Sequence, residues 1–186
     1  MQTPANPETD AQRLASPASL SVLDTAPDRR VDETVEAKDT LTGLSSREAA
    51  TEWLARQSTS HTRAAIYLDL DGFTSINDRH SRAAGDRVLA TVAERLRGTV
   101  DDSHMIARLG DDQFVVLLND VTEADLARTI ARIRQRVDQP VGCKYTEIPC
   151  TASFGASVAL PGDTGGDLIG AANRGMYREK RLRRGL

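Results

Sequence analysis

Three carboxylates stand where a peptide chain commonly gathers charge for cation or phosphate chemistry: Asp69 and Asp71 at the end of an apolar run, and Asp112 more than forty residues later. Asp112 sits inside Arg108-Leu-Gly-Asp-Asp-Gln-Phe114, between the strand-like Met105-Ile-Ala107 and Phe114 to Leu118, with Gly110-Asp111 supplying hairpin turn chemistry. If the run Ala64 to Leu70 and this hairpin are neighbours, Asp69 and Asp112 converge. Two carboxylates facing a cleft can hold Mg²⁺ through oxygen ligands and leave positions open for substrate phosphates, which suits phosphoryl transfer. The plainer reading of each acid alone is an Asp that satisfies turn hydrogen bonds.

The elements that would position these acids follow from periodicity. Ala64 to Leu70 is apolar almost throughout, as a strand covered on both faces should be, and Asp69 and Asp71 share one face by its period of two. Ser45 with Glu48 forms a capping box for a helix carrying Trp53 and Leu54. Val88, Leu89, Val92 and Leu96 recur at helical spacing within Ala83–Val100, which Gly98 helps to end. Thr122 with Asp125 caps a helix striped by Leu126, Ile130, Ile133 and Val137, and Pro140 stops it. Tyr145 to Leu160 reads as strand, with a reversal near Gly142, and Asp167 to Leu182 as a last helix with a basic end. Helices alternating with strands around one hairpin predict an α+β sandwich with a mostly antiparallel sheet.

Residues 1–38 hold four of the seven prolines, seven acids and four bases, so the net charge of −3 belongs to that segment and residues 39–186 balance at 20 acids and 20 bases. The segment reads as a disordered acidic leader, a solvated tail or an acidic docking arm, ahead of one domain over 39–186. A neutral body with 4% aromatics argues against a nucleic-acid surface. No apolar run reaches about 18 residues and no signal peptide opens the chain, so the expectation is no membrane and a cytoplasmic site of action. Cys143 and Cys150 lack the spacing of a zinc site and read as reduced thiols.

Several blocks in order carry a family resemblance: Asp39-Thr-Leu-Thr-Gly-Leu44 with Arg47, Asp69-Leu-Asp-Gly-Phe-Thr-Ser-Ile-Asn-Asp78, Gly85-Asp86, the hairpin, Ser153-Phe-Gly155, and Ala172 through Met176-Tyr177 to Lys180. In these the chain resembles the GGDEF family, whose active members, the diguanylate cyclases, join two GTP into cyclic di-GMP and pyrophosphate. The resemblance implies a five-stranded, nucleotidyl-cyclase-like or polymerase-palm-like sheet flanked by helices. It also implies Asp69, the Leu70 carbonyl and Asp112 as ligands of Mg²⁺ or Mn²⁺, with Asp112 placed for activating the attacking 3′-hydroxyl as the catalytic residue. Gly72 and Phe73 match a phosphate cradle, Asn77 and Asp86 match guanine readers, Gly110 opens the signature beside the nucleotide, and Lys180 and Arg184 match a phosphate-contacting pair. For Arg184, among Arg181 and Arg183, complementing the helix dipole is an equally good reading.

The signature here is Gly110-Asp-Asp-Gln-Phe114. Asp111 stands where the family has a second Gly, and puts charge where bare backbone should approach a triphosphate. Gln113 stands where the family has an acid, and loses a charge that would balance a divalent cation. Thr74 replaces a frequent Lys, and Ser81-Arg82 replaces Gly-His, with Arg82 able to return positive charge. Asn173, Gly175 and Glu179 depart from Asp, Ala and Ala and read as relaxed requirements. Asp101 and His104 stand where the product-inhibition motif has Arg and Asp, so no inhibitory cyclic di-GMP site is expected there, and His104 reads as an edge-strand histidine.

Three functions follow: a degenerate GGDEF domain that binds guanine nucleotide or protein as a regulator, a working cyclase that tolerates Asp111 and Gln113, and an interaction scaffold without nucleotide. The implied partners are GTP or a related guanine nucleotide, a second copy, or another GGDEF or EAL protein.

Overall fold

The structure, a computed structural model, describes residues 38–57 and 61–185, so the expected leader lies almost wholly outside the described residues. In chain order the elements are α1 (Arg47–Arg56), β1 (Arg63–Leu70), α2 (Phe73–His80), α3 (Arg82–Arg97), β2 (Met105–Arg108), β3 (Gln113–Asn119), α4 (Glu123–Val137), β4 (Val141–Cys143), β5 (Thr146–Ile148), β6 (Ala152–Val158) and α5 (Gly165–Arg183). The α+β class and antiparallel sheet are as the residue pattern predicts.

The main sheet runs β2-β3-β1-β6 with every pair antiparallel. It has four strands where five were expected, and β4 with β5 forms a separate two-stranded ribbon. The stretch read as one strand from Tyr145 is broken, because Pro149 lacks an N–H and so cannot carry a ladder through. The reversal falls at Lys144, held at φ +45°, rather than at Gly142, which lies within β4.

All eight residues of β1 are buried, and their alternation divides the core. Ala64, Ile66, Leu68 and Leu70 face α3, α4 and the ribbon, together with Val88, Val92, Leu96 and Ile133. Ala65 and Tyr67 face the opposite way, toward Ala50 and Leu54 of α1 and Leu168, Ala172 and Met176 of α5. Sheet and helices therefore form three layers, with β1 at the centre of both cores.

Helix boundaries follow local hydrogen bonding. α1 begins one residue later than expected: Ser45 is committed to β2, its N–H donating to the Ile106 carbonyl at 3.2 Å and its carbonyl accepting from Arg108 at 3.0 Å. Ser46 is the cap, its hydroxyl accepting from Ala49 N–H at 3.3 Å. Thr122 and Asp125 form the expected capping box of α4, and Thr164 with Asp167 forms another on α5.

α5 crosses β6 at backbone contact. A Cβ added at Gly155 would lie 2.1 Å from both the Ala172 carbonyl oxygen and the Met176 nitrogen, and one added at Gly175 would lie 3.2 Å from the Gly155 Cα. Gly155 is therefore a packing requirement, and Gly175, expected to be a relaxed position, lies in tight contact with it. Among the described residues no helix is long and apolar enough to cross a membrane.

Candidate functional site

The register of β1 against β3 pairs Asp69 with Gln113, and the Leu70 N–H donates to the Asp112 carbonyl at 3.1 Å. The two acids expected to converge are thus one residue apart across adjacent strands. Their proximity registers in Asp112, whose carboxyl is pushed above the usual carboxylate range by burial and then by the negative charge of Asp69, with Lys180 opposing. Asp71, expected on the same face as Asp69, lies just past β1 and is used structurally. It accepts from Ser153 Oγ at 2.7 Å, Thr151 Oγ1 at 3.0 Å and Arg183 at 3.1 Å.

The signature turn is held by its carbonyls. Arg47 donates to Leu109 O at 2.7 Å, and Arg108 donates to Gly110 O at 3.0 Å and Asp111 O at 2.6 Å. Arg108 is fixed in turn by both oxygens of Asp39, at 3.1 and 3.0 Å. Asp111 extends into solvent, so its charge faces whatever approaches.

Beside the turn lies a cleft of about 440 Å³ lined by Phe73, Thr74, Asn77, Arg82, Asp86, Leu89, Arg108, Asp111 and Asp112. It gathers the expected purine readers Asn77 and Asp86, the cradle residue Phe73, and the departures Thr74, Arg82 and Asp111 around one space. Gly72 caps α2 in the left-handed region at φ +67°. Gly85 is buried against the pocket wall, where an added Cβ would lie 1.9 Å from Asn77 Oδ1, so only glycine lets that side chain take its place. A larger cleft, about 520 Å³, lies between the α2–α3 junction and the ribbon and contains none of the expected site residues.

Lys180 does not line this smaller cleft beside the turn: its ammonium is ion-paired with Asp69 Oδ1, and both side chains are largely buried, at 16% and 5% exposure. Asp69 Oδ2 accepts from the Gln113 amide nitrogen at 3.3 Å, and Gln113 Oε1 accepts from the Tyr67 hydroxyl at 2.7 Å. Arg184 is exposed at the end of α5 and has no side-chain partner among the described residues. Arg183, which the sequence pattern did not single out, carries the ion pairs instead. Glu179, expected to be a relaxed position, is a hub: it takes a two-pronged pair from Arg134 at 2.9 Å on each prong, one from Arg183 at 3.0 Å, and the Phe154 N–H at 3.3 Å. Arg134 also stacks on the Phe154 ring, 4.3 Å from its centre. His104 accepts from Asn119 N–H at 3.5 Å beside the edge strand, and Asp101 is exposed.

The donor set does not fit a resident divalent cation. Mg²⁺ needs free carboxylate oxygens even when phosphates complete its shell. Each oxygen of Asp69 already carries a partner, Lys180 on Oδ1 and Gln113 on Oδ2. Among the described residues this leaves Asp112 as the one carboxylate of the pair without a side-chain partner, and no three His, Cys, Asp or Glu side chains are grouped to hold a metal.

A central acid-ended strand paired with a turn-tipped hairpin, beside a polar cleft, defines an α+β fold with an antiparallel sheet flanked by helices. The model of the family described as "Diguanylate cyclase, GGDEF domain" matches residues 36–185, and the chain belongs to the GGDEF family. The bifunctional diguanylate cyclase/cyclic di-GMP phosphodiesterase MucR of Pseudomonas aeruginosa is 38% identical over 119 residues, covering 63% of this chain and 17% of MucR. The diguanylate cyclase TpbB of the same species is 35% identical over 156 residues, 79% of this chain and 36% of TpbB. The chain thus spans a minor part of the length of these two relatives. The crystal structure of a sensory box/GGDEF family protein from Caulobacter crescentus superposes with a TM-score of 0.73 at 31% identity, covering 78% of this chain and 98% of that one. Domains of this family bind GTP and serve cyclic di-GMP signalling, and its cyclases generally use Mg²⁺.

Proposed function

We propose that residues 39–186 are a degenerate GGDEF domain that binds guanine nucleotide and acts as a nucleotide- or protein-binding regulator in cyclic di-GMP signalling, with weak or no cyclase turnover. The observation that carries this reading is Gln113. It stands opposite Asp69 in the sheet register, donating to that carboxylate at 3.3 Å while the Tyr67 hydroxyl holds its oxygen at 2.7 Å. A neutral amide fastened at both ends supplies no charge to offset a cation or to activate a hydroxyl.

Nucleotide binding draws on what the cleft retains. Asp86 can accept from the paired N1–H and N2–H₂ donors of guanine, and Asn77 can donate and accept at a purine edge. The Gly72 and Phe73 amides at the start of α2 suit phosphate, with Arg82 adding charge at the rim. Asp112, with its raised proton affinity, is the remaining candidate for drawing a proton from a 3′-hydroxyl, but it works alone. Cyclisation also brings two GTP-loaded domains face to face, so the partner is a second copy or another GGDEF or EAL protein.

The full chain with GTP and Mg²⁺ or Mn²⁺ is expected to yield no cyclic di-GMP by chromatography, and Asp111→Gly with Gln113→Glu to restore detectable product. Multiple turnover by the unmodified chain overturns the reading. Calorimetric titration with GTP is expected to show binding that Asn77→Ala or Asp86→Ala each weakens about tenfold or more, about 1.4 kcal/mol. Absence of heat from the unmodified chain would leave a scaffold without nucleotide.

A further inference from the structure

We infer that Lys180 takes the place of a divalent cation in this chain: its ammonium neutralises Asp69, the pocket takes up no metal ion of its own, and guanine nucleotide binds without Mg²⁺. The nucleotide clause rests on the function proposed above, whereas the exclusion of metal does not.

The pairing is built into both elements. On β1, alternation sends Ala65, Tyr67 and Asp69 to one face, and the first two are buried against α5. On α5, Leu168, Ala172 and Met176 form the buried stripe at a spacing of four, and the next residue of that stripe is Lys180. Two apolar rows packed on each other therefore end in opposite charges at the same point. The backbone contact of Gly155 with Gly175 fixes how close the helix lies to the sheet. Lys180 is held at Asp69 by the packing of its whole helix, with 16% of its side chain exposed.

Gln113 closes the other side. Its amide nitrogen faces Asp69 Oδ2, and the reverse orientation would set its oxygen against a carboxylate, so the N–H occupies a lone-pair direction of Oδ2 that an ion would otherwise use. Tyr67 anchors the far end of the amide. The local charge is two carboxylates, Asp69 and Asp112, against one ammonium. A divalent ion would have to expel Lys180 from a largely buried pair and turn the amide, leaving an ammonium without its counter-charge.

The test is a titration of the full chain with Mn²⁺, without nucleotide, read by the electron paramagnetic resonance of the free ion. The free signal is expected to follow added metal as in buffer. The Gln113→Glu, Lys180→Met double variant is expected to deplete it by one ion per chain, and adding Asp69→Asn to abolish that uptake. One-to-one uptake by the unmodified chain, lost in Asp69→Asn, overturns the inference. So does a double variant that is folded by circular dichroism and takes up no metal.

A second measurement needs no variant. GTP affinity by calorimetry is expected to agree within about twofold between EDTA and excess Mg²⁺, and binding more than about tenfold tighter with Mg²⁺ overturns the inference. No GTP binding in either buffer refutes the nucleotide site and, with it, the nucleotide clause. The Mn²⁺ result judges the metal clause by itself.

Discussion

Gln113 is the residue whose role changes most between its chemical type and its surroundings. As a type it is an uncharged amide. In place it is a bridge, tying the Tyr67 hydroxyl to the Asp69 carboxylate. Hydrophobic period and turn residues could locate Asp69 and Asp112 at a strand end and a turn, whereas Asn77 and Asp86 were pointed to by the family resemblance alone. Neither could tell that Lys180 would be spent on Asp69 or that Glu179 would collect two arginines, since such pairings depend on how a helix is rotated over a sheet. At this scale Gly85 offers a clean separation of binding from folding. Gly85→Ala should gain up to about 1 kcal/mol of helix propensity, offset in part because the methyl crowds the Phe73 ring at 3.2 Å besides displacing the flexible Asn77 side chain. The expected outcome is a chain whose urea midpoint stays close to the parent's but whose GTP affinity falls to that of Asn77→Ala.

Among the elements, α5 contributes most to the site. Its existence and its basic end were foreseen, whereas its buried stripe, its capping box and the ion pairs of its last turns were not. The close crossing on β6 was not, because Gly155 and Gly175 lie twenty residues apart and neither alone announces a partner. The same limit applies to the ribbon, whose three-residue strands are too short for alternation to reveal. Gly155→Ala forces a methyl into backbone that has no rotamer to escape through, and should cost about 3 kcal/mol or more in denaturant unfolding. It should also loosen Lys180 from Asp69, as both depend on one helix position.

At the level of the whole molecule, an ion-pair network joins three layers: Arg134 on α4, Glu179 and Arg183 on α5, and Asp71 beyond β1. Burial opposes ionisation of Glu179, but bonds from Arg134, the Phe154 N–H and Arg183 outweigh it and hold its carboxyl below the ordinary 4.5. Protons are therefore bound more readily by the unfolded chain. The stabilisation is complete above about pH 4.5, where the unfolded group is ionised, and is lost as pH falls through the lower folded value. Urea midpoints measured from pH 7 down to 3 should accordingly decline more gently in Glu179→Gln, from a lower plateau, than in the parent.

One further link has practical weight. The signature turn keeps its shape because Arg108 holds two of its carbonyls while Asp39 steadies the guanidinium from the opposite end of the sequence. Asp39 is only the second described residue, sixty-nine positions upstream of its partner. A truncation that begins at residue 40 would keep every strand and helix yet sever the guy-rope of the loop, and its behaviour toward nucleotides would report on the cut rather than on the protein.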